Sequence, residues 1–106
     1  MANTETITVS AAGRGSVHNT LDGSAADAIT VNCGTVQMVT ATVKNRSAGD
    51  IWFRWDGTTA VAGADGTYHL GAGENYDFEV PTSSVVVSLI AGSALAYSVQ
   101  TAPAGG

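Results

Sequence analysis

The sequence is poor in charge, and this scarcity argues against two classes of partner. Only 12% of the 106 residues are charged, and four basic residues stand against nine acidic ones, which gives a formal net charge of -5. Proteins that bind nucleic-acid backbones or anionic lipid need clustered Lys and Arg. We therefore expect neither a nucleic-acid partner nor a membrane partner. So little surface charge is easier to understand if partner proteins cover much of the surface.

Cysteine, export signals and long apolar runs are also scarce or missing. Cys33 is the single cysteine, so no intrachain disulfide can form. Within ITVNCGTV it is interpreted as a small buried hydrophobe rather than a reactive thiol. The stretch MANTETITVS lacks the basic and apolar regions of a signal peptide, and no run reaches the ~18 apolar residues of a membrane span. We expect a soluble protein that is made in the cytoplasm and not exported.

Residues typical of surface helices are few, whereas β-branched residues are abundant. The chain holds one Lys, three Glu and four Leu against 13 Thr and 12 Val. Val and Thr favour strands, and short alternating segments separated by Gly, Asp and Ser are typical of sandwiches and barrels. We predict an all-β fold, a single-domain antiparallel β-sandwich or small barrel of jelly-roll or immunoglobulin-like type with about eight short strands.

Alternation and turn residues give the predicted strand positions. The segments that favour strands are 4–10, 17–21, 27–32, 35–45, 51–57, 67–70, 75–80, 84–92 and 94–100. The alternation slips within 35–45, which predicts a bulge near Met38 or a strand buried on both faces. The last two segments are expected to form a hairpin across Gly92 and Ser93. Residues 1–106 are read as one domain, with 1–20 as an N-terminal strand or arm and 101–106 as a flexible tail.

No pattern in the sequence marks a catalytic or metal site. His18 and His69 are the only histidines, and the G-x-S-x-G motif of serine hydrolases is absent. Asp56 and Asp65 flank a Gly-rich loop and could together bind calcium, but their spacing fits no EF-hand. Asp-Gly pairs more commonly form turns, in which the carboxylate accepts hydrogen bonds from nearby amides. We predict a protein that is not an enzyme and needs no cofactor.

The stretch IWFRWDGTTA, residues 51–60, holds both tryptophans. Alternation places Ile51, Phe53 and Trp55 on a core face and directs Trp52 and Arg54 to the opposite face. An outward tryptophan is read here as a partner interface, with two alternatives: a segment of the same chain covers it, or it stacks on a sugar. The candidate interface residues are Trp52, Arg54, Arg14 and His18.

The second half of the chain carries two motifs and a characteristic ending. An alternating strand runs into R-x-D-G-T, a small-residue loop follows, and L-x-A-G-E then precedes an apolar strand; the matching residues are Arg54, Asp56, Gly57, Thr58, Leu70, Gly73 and Glu74. The ending is SLIAGSALAYSVQ, residues 88–100. In this half, residues 51–100, the chain resembles small β-sandwich virion proteins of tailed bacteriophages.

This resemblance implies a structural role rather than a reaction. It suggests a capsid decoration (cement) protein that stabilises the head shell, with a carbohydrate-binding or adhesin module, or another tail or head-fibre component, as the alternative. The implied partners are the major capsid protein and further copies of the chain, for which a trimer is expected. The implied location is the capsid surface of the virion, after synthesis in the host cytoplasm. A glycan partner is expected only under the alternative.

Overall fold

The chain folds as two packed β-sheets. The computed structural model describes residues 2–9, 13–33, 39–80 and 84–103. Its strands are β1 (Thr4–Thr8), β2 (Gly15–Thr20), β3 (Asp27–Asn32), β4 (Val39–Asn45), β5 (Ile51–Arg54), β6 (Tyr68–Leu70), β7 (Asn75–Val80), β8 (Ser84–Ile90) and β9 (Ala96–Pro103). One sheet has the order β1-β3-β8-β5-β6 and the other β2-β9-β4-β7. The predicted all-β sandwich is confirmed, with nine strands in the described ranges.

The strand pairing departs from the predictions in two places. Strand β1 pairs in parallel with β3, whereas every other described pair is antiparallel. The predicted hairpin of the last two strands is wrong, because β8 pairs with β3 and β5 while β9 pairs with β2 and β4. Segment 91–95 therefore crosses between the sheets. The crossing lets Leu89 of β8 and Val99 of β9 fill one core from opposite sides.

Strand boundaries mostly follow the alternation. Strands β3 and β7 match the predicted segments 27–32 and 75–80 residue for residue. The expected tail is wrong for residues 101–103, which belong to β9 and pair with β4, while 104–106 lie outside the described residues. The bulge predicted near Met38 also lies outside them. Within the expected N-terminal arm, β1 and β2 are hydrogen-bonded members of the two sheets.

The core is built from the β-branched residues that alternate inward on each strand. Strand β4 shows this pattern clearly, because Val39, Ala41 and Val43 are fully buried while the residues between them are not. Cys33 is buried, as predicted, and burial raises the pKa of its thiol. No helix in the described ranges has the length and apolar character needed to cross a membrane.

A buried carboxylate links the sheets inside this core. Asp27 on β3 is fully buried and accepts hydrogen bonds from the backbone N–H of Asn3 at 2.8 Å and from its side-chain Nδ2 at 2.9 Å. The hydroxyl of Tyr97 on β9, also fully buried, donates to the same carboxylate at 2.7 Å. Burial, and then the hydrogen bond to Asp27, raise the pKa of Tyr97 well above its usual range. Tyr97 therefore remains a neutral donor.

The two edges of the sandwich are held together by different kinds of interaction, hydrogen bonds at one edge and aromatic contacts at the other. At the side of β1 and β2, the side chain of Asn19 donates to the carboxylate of Glu5, and Asn3 Nδ2 donates to the carbonyl oxygen of Thr20 at 3.0 Å. At the side of β6 and β7, the rings of Tyr68 and Tyr76 lie in contact, with centroids 5.4 Å apart. The second side therefore presents aromatic surface, and it is there that the main candidate site lies.

Candidate functional site

Strand β5 divides its side chains between the core and the outer surface. Ile51 and Phe53 are fully buried, whereas Trp52 and Arg54 are half-buried on the outer face of the five-stranded sheet. This is the division that alternation predicts, and it keeps Trp52 out of the core. Trp55, the next residue, is partly buried and packs against the core cluster.

Trp52 shares its outer face with a histidine from the neighbouring strand. Its ring lies 4.8 Å from that of His69 on β6, with the two planes tilted by 49°. His69 Nε2 lies 2.9 Å from a carboxylate oxygen of Asp50, and both groups are exposed. Strand β6 of the same chain therefore covers part of the Trp52 side chain and leaves the rest accessible. An interface role for Trp52 stays a prediction.

Arg54 is held by the loop that follows β5, residues 55–67. Its guanidinium forms a two-point ion pair with Asp56, with Nε 2.8 Å from Oδ1 and Nη2 in contact with Oδ2. Nη1 also donates to the backbone carbonyl of Asp65 at 3.3 Å. The hydrogen bond from Arg54 holds the pKa of Asp56 well below its usual range and raises that of the guanidinium. Arg54 thus organises its own loop, and its role as an interface residue stays a prediction.

The same loop returns over the outer face of the sheet. The backbone N–H of Ala60 donates to Oγ of Ser88 on β8 at 2.8 Å, and both residues are buried. Oδ1 of Asp56 accepts a hydrogen bond from the N–H of Thr58 at 3.1 Å, which is the turn-forming role that the sequence favours for this aspartate over a calcium ligand. Within the ranges that the structure describes, no group of three His, Cys, Asp or Glu side chains is placed to hold a metal ion.

Five aromatic rings fill the side of the sandwich between β6 and β7. They belong to both sheets, and the members are Phe53, Trp55, Tyr68, Tyr76 and Phe78. Trp55 stacks on Phe78 with centroids 4.4 Å apart and planes within 10° of parallel. Tyr68 is 46% exposed and Tyr76 is 38% exposed. The cluster therefore closes the core with its inner rings and faces the surroundings with its tyrosines.

A cleft of about 320 Å³ opens beside this cluster. It is lined by Arg54, Trp55, Asp56, Gly66 and Tyr68, and we call it the Trp55 cleft. Of these residues, the sequence predicts Arg54 as a candidate site residue, places Trp55 in the core and indicates no role for Tyr68. One sequence signal for Tyr68 was available. Tyr68 and Leu70 are two positions apart and so lie on the same face of their strand, which places the tyrosine on the inward face of an edge strand.

The other two predicted interface residues lie on the four-stranded sheet. His18 is exposed on the outer face of β2, and its Nδ1 lies 2.7 Å from Oγ of Ser98 on β9. Arg14 precedes β2 and lines a groove of about 500 Å³, whose other residues are Gly15, Ser16, Thr42, Gln100, Thr101 and Ala102. The structure therefore places Trp52 and Arg54 on one sheet and His18 on the other, with Arg14 just before the strand that carries His18.

Comparisons with known proteins identify the fold alone. No protein-family model and no curated protein matches the chain. The structure is similar to that of PliG from Aeromonas hydrophila, a periplasmic inhibitor of g-type lysozyme, with 15% identity, a TM-score of 0.53 and coverage of 96% of this chain and 98% of that one. It is also similar to the pre-peptidase C-terminal domain of a collagenase from Bacillus anthracis, with 14% identity, a TM-score of 0.50 and coverage of 95% and 94%.

Proposed function

We propose that this chain is a structural protein of a tailed-bacteriophage virion, a capsid decoration protein that binds the head shell as a small oligomer, with a trimer expected. The resemblance of residues 51–100 to such proteins carries the proposal. The resembling residues have structural roles in this chain: Arg54 and Asp56 tie the loop after β5, and Glu74 accepts a hydrogen bond from the N–H of Gly71 in the turn before β7. A motif of this kind preserves a sandwich without creating a reactive site.

An uncharged outer face supports the same proposal. The neighbouring strands β2 and β9 hold no Asp, Glu, Lys or Arg. The exposed side chains of this face are small or polar and include Ser16, His18 and Gln100, while Ser98, which contacts His18, is buried. Such a face can pack against a capsid subunit without desolvating charge, which is costly when a charge is left unpaired. We assign the shell contact to this β2–β9 face, which contains His18 and ends near Arg14.

Many copies of a modest contact would then hold the shell together. An oligomer that contacts several capsid subunits binds them more strongly than one copy can, because the later contacts form at high effective concentration. The fold is compatible with a role based on binding alone, since PliG is described as an inhibitor.

Binding to expanded capsids tests this proposal. The chain should co-sediment saturably with expanded capsids of the phage that encodes it, and virion proteomics should find it in numbers comparable to the capsid subunit. Gln100→Glu places a charge on the β2–β9 face and should weaken this binding by about tenfold. Ser84→Glu, on the other sheet, is the matched control and should not. Absence from virions, or a monomer that does not bind capsids, would overturn the proposal.

A further inference from the structure

We propose that the Trp55 cleft binds a neutral sugar ring. This inference does not depend on the virion role, because it uses a different surface of the molecule. The volume of the cleft, about 320 Å³, lies within the range of pockets that hold small ligands, about 300–1,000 Å³. Its walls differ in chemistry, with aromatic rings on one side and an ion pair on the other.

The aromatic wall is formed by Trp55 and Tyr68. Their ring centroids lie 4.9 Å apart with planes tilted by 37°, and almost half of Tyr68 is exposed. Trp55 is fixed by its stack on Phe78, so little side-chain freedom remains to be lost on binding. A sugar ring has an apolar C–H face and a rim of hydroxyls, and tryptophan and tyrosine combine an apolar body with a polar group in the same way.

The polar wall selects against charged ligands. Arg54 and Asp56 form a two-point ion pair, so the wall presents N–H donors and carboxylate lone pairs without net charge. The side chain of Arg54 is only 15% exposed, whereas that of Asp56 is 54% exposed. A phosphate in the cleft would meet the carboxylate, and a quaternary ammonium would meet the guanidinium. The hydroxyl groups of a sugar can donate hydrogen bonds to the carboxylate of Asp56 and accept them from the guanidinium of Arg54.

Gly66 keeps the ion pair in this position. Its backbone has a positive φ of 83°, and a Cβ added there would lie 2.8 Å from Nη2 of Arg54. Any side chain would therefore push the guanidinium away from its place. The bare backbone keeps both the cleft and the geometry of Arg54 with Asp56 intact.

An NMR titration of the full chain tests the assignment. Maltose, cellobiose and lactose are the neutral probes, and inorganic phosphate and tetramethylammonium are the charged ones. The indole N–H of Trp55 reports on the cleft, while that of Trp52, which lies outside it, is an internal control. We expect at least one disaccharide to shift the Trp55 signal and leave that of Trp52 unchanged. No shift with any disaccharide, or a shift with a charged probe only, would overturn the proposal.

Two variants separate binding from a purely structural role of the cluster. Tyr68→Ala should weaken disaccharide binding by about tenfold, because it removes half of the aromatic wall. Val61→Ala is the matched control, because Val61 is 56% exposed on the loop that precedes β6 and does not line the cleft. Equal binding by both variants would contradict the assignment.

Asp56→Asn provides an independent test of the proposed site if Tyr68→Ala fails to fold. This substitution leaves Arg54 without its carboxylate, so phosphate should now shift the Trp55 signal, whereas it should not shift that signal in the parent chain. An unchanged response to phosphate would overturn the argument from charge cancellation. A Trp55 signal that moves with protein concentration in the absence of sugar would instead assign the cleft to contacts between copies of the chain, and that too would overturn the proposal.

Discussion

The hydroxyl of Tyr97 and the carboxylate of Asp27 lie 2.7 Å apart and join the two sheets at a fully buried point. Tyr97 belongs to β9 in the four-stranded sheet, and Asp27 begins β3 in the five-stranded one. Asp27 keeps two further donors, both from Asn3. The contact therefore joins both sheets and the residue just before β1.

Tyr97→Phe should lower the free energy of unfolding by about 1–3 kcal/mol, because it removes a buried hydrogen bond to a carboxylate and retains the ring. Urea denaturation followed by circular dichroism measures the change. Tyr76→Phe is the control, since Tyr76 is 38% exposed, and it should have little effect. Equal losses in the two variants would show that the Asp27 contact contributes nothing of its own.

Stability should also fall above about pH 10, and Tyr97 should cause part of the fall. Its folded-state pKa is raised above the usual value of 10.0, first by burial and then by the hydrogen bond to Asp27. Above pH 10 the unfolded state releases the proton while the folded state keeps it. The contribution of Tyr97 to the free energy of unfolding is therefore complete below pH 10. Above pH 10 this contribution decreases by up to ~1.4 kcal/mol per pH unit. Tyr97→Phe should reduce this slope, and an unchanged slope would contradict the assignment.

The two tryptophans should differ in their contribution to stability. Trp55 packs against Phe53 and Phe78 in the core, so Trp55→Ala should cost about 3 kcal/mol, the lower end of the range for large aromatic deletions because the residue is only partly buried. Trp52 contacts His69 on the outer face, and Trp52→Ala should cost about 1 kcal/mol. Thermal denaturation of both variants measures the difference. Equal destabilisation would contradict the division of β5 into two faces.

Alanine substitutions at two glycines should distinguish the cost of backbone strain from the cost of a steric clash. Gly23 and Gly57 have similar positive φ angles, 90° and 86°, so alanine is strained at both positions by about 1–2 kcal/mol. A Cβ at Gly23 would lie 3.0 Å from the backbone Cα of Ser93, whereas one at Gly57 would meet nothing within 4 Å. Gly23→Ala should therefore destabilise the chain more than Gly57→Ala in chemical denaturation. The reverse order would exclude the contact with Ser93 as the cause.

Local features of the fold were predictable from the sequence because they depend on neighbouring residues. Clean alternation located β3 and β7 to the residue, and it placed Trp52 and Arg54 outside the core. Alternation tells which side chains face inward but not which strand lies opposite. For this reason the sequence predicts a hairpin of β8 and β9, which are adjacent along the chain, although they belong to different sheets.

The candidate site was less predictable because its parts come from distant segments. Trp55 stacks on Phe78 from the other sheet, and neither residue type nor spacing indicates that meeting. Asp27 resembled any polar residue at the start of a strand, since the tyrosine that makes its burial tolerable lies 70 positions away. The ion pair of Arg54 with Asp56 spans two positions, yet the sequence suggested a turn for Asp56 and an interface for Arg54.

The central position of β9 bears on the order in which the chain can be assembled. Strand β2 has β9 as its sole described neighbour, and β4 also pairs with β9, yet β9 is the last described strand to be synthesised. During translation β2 remains without a partner until residues 96–103 have left the ribosome. The four-stranded sheet therefore closes only after translation of β9. Such pairing between distant segments is intrinsically slow, and it leaves edges of unpaired strands exposed to other nascent chains in the meantime.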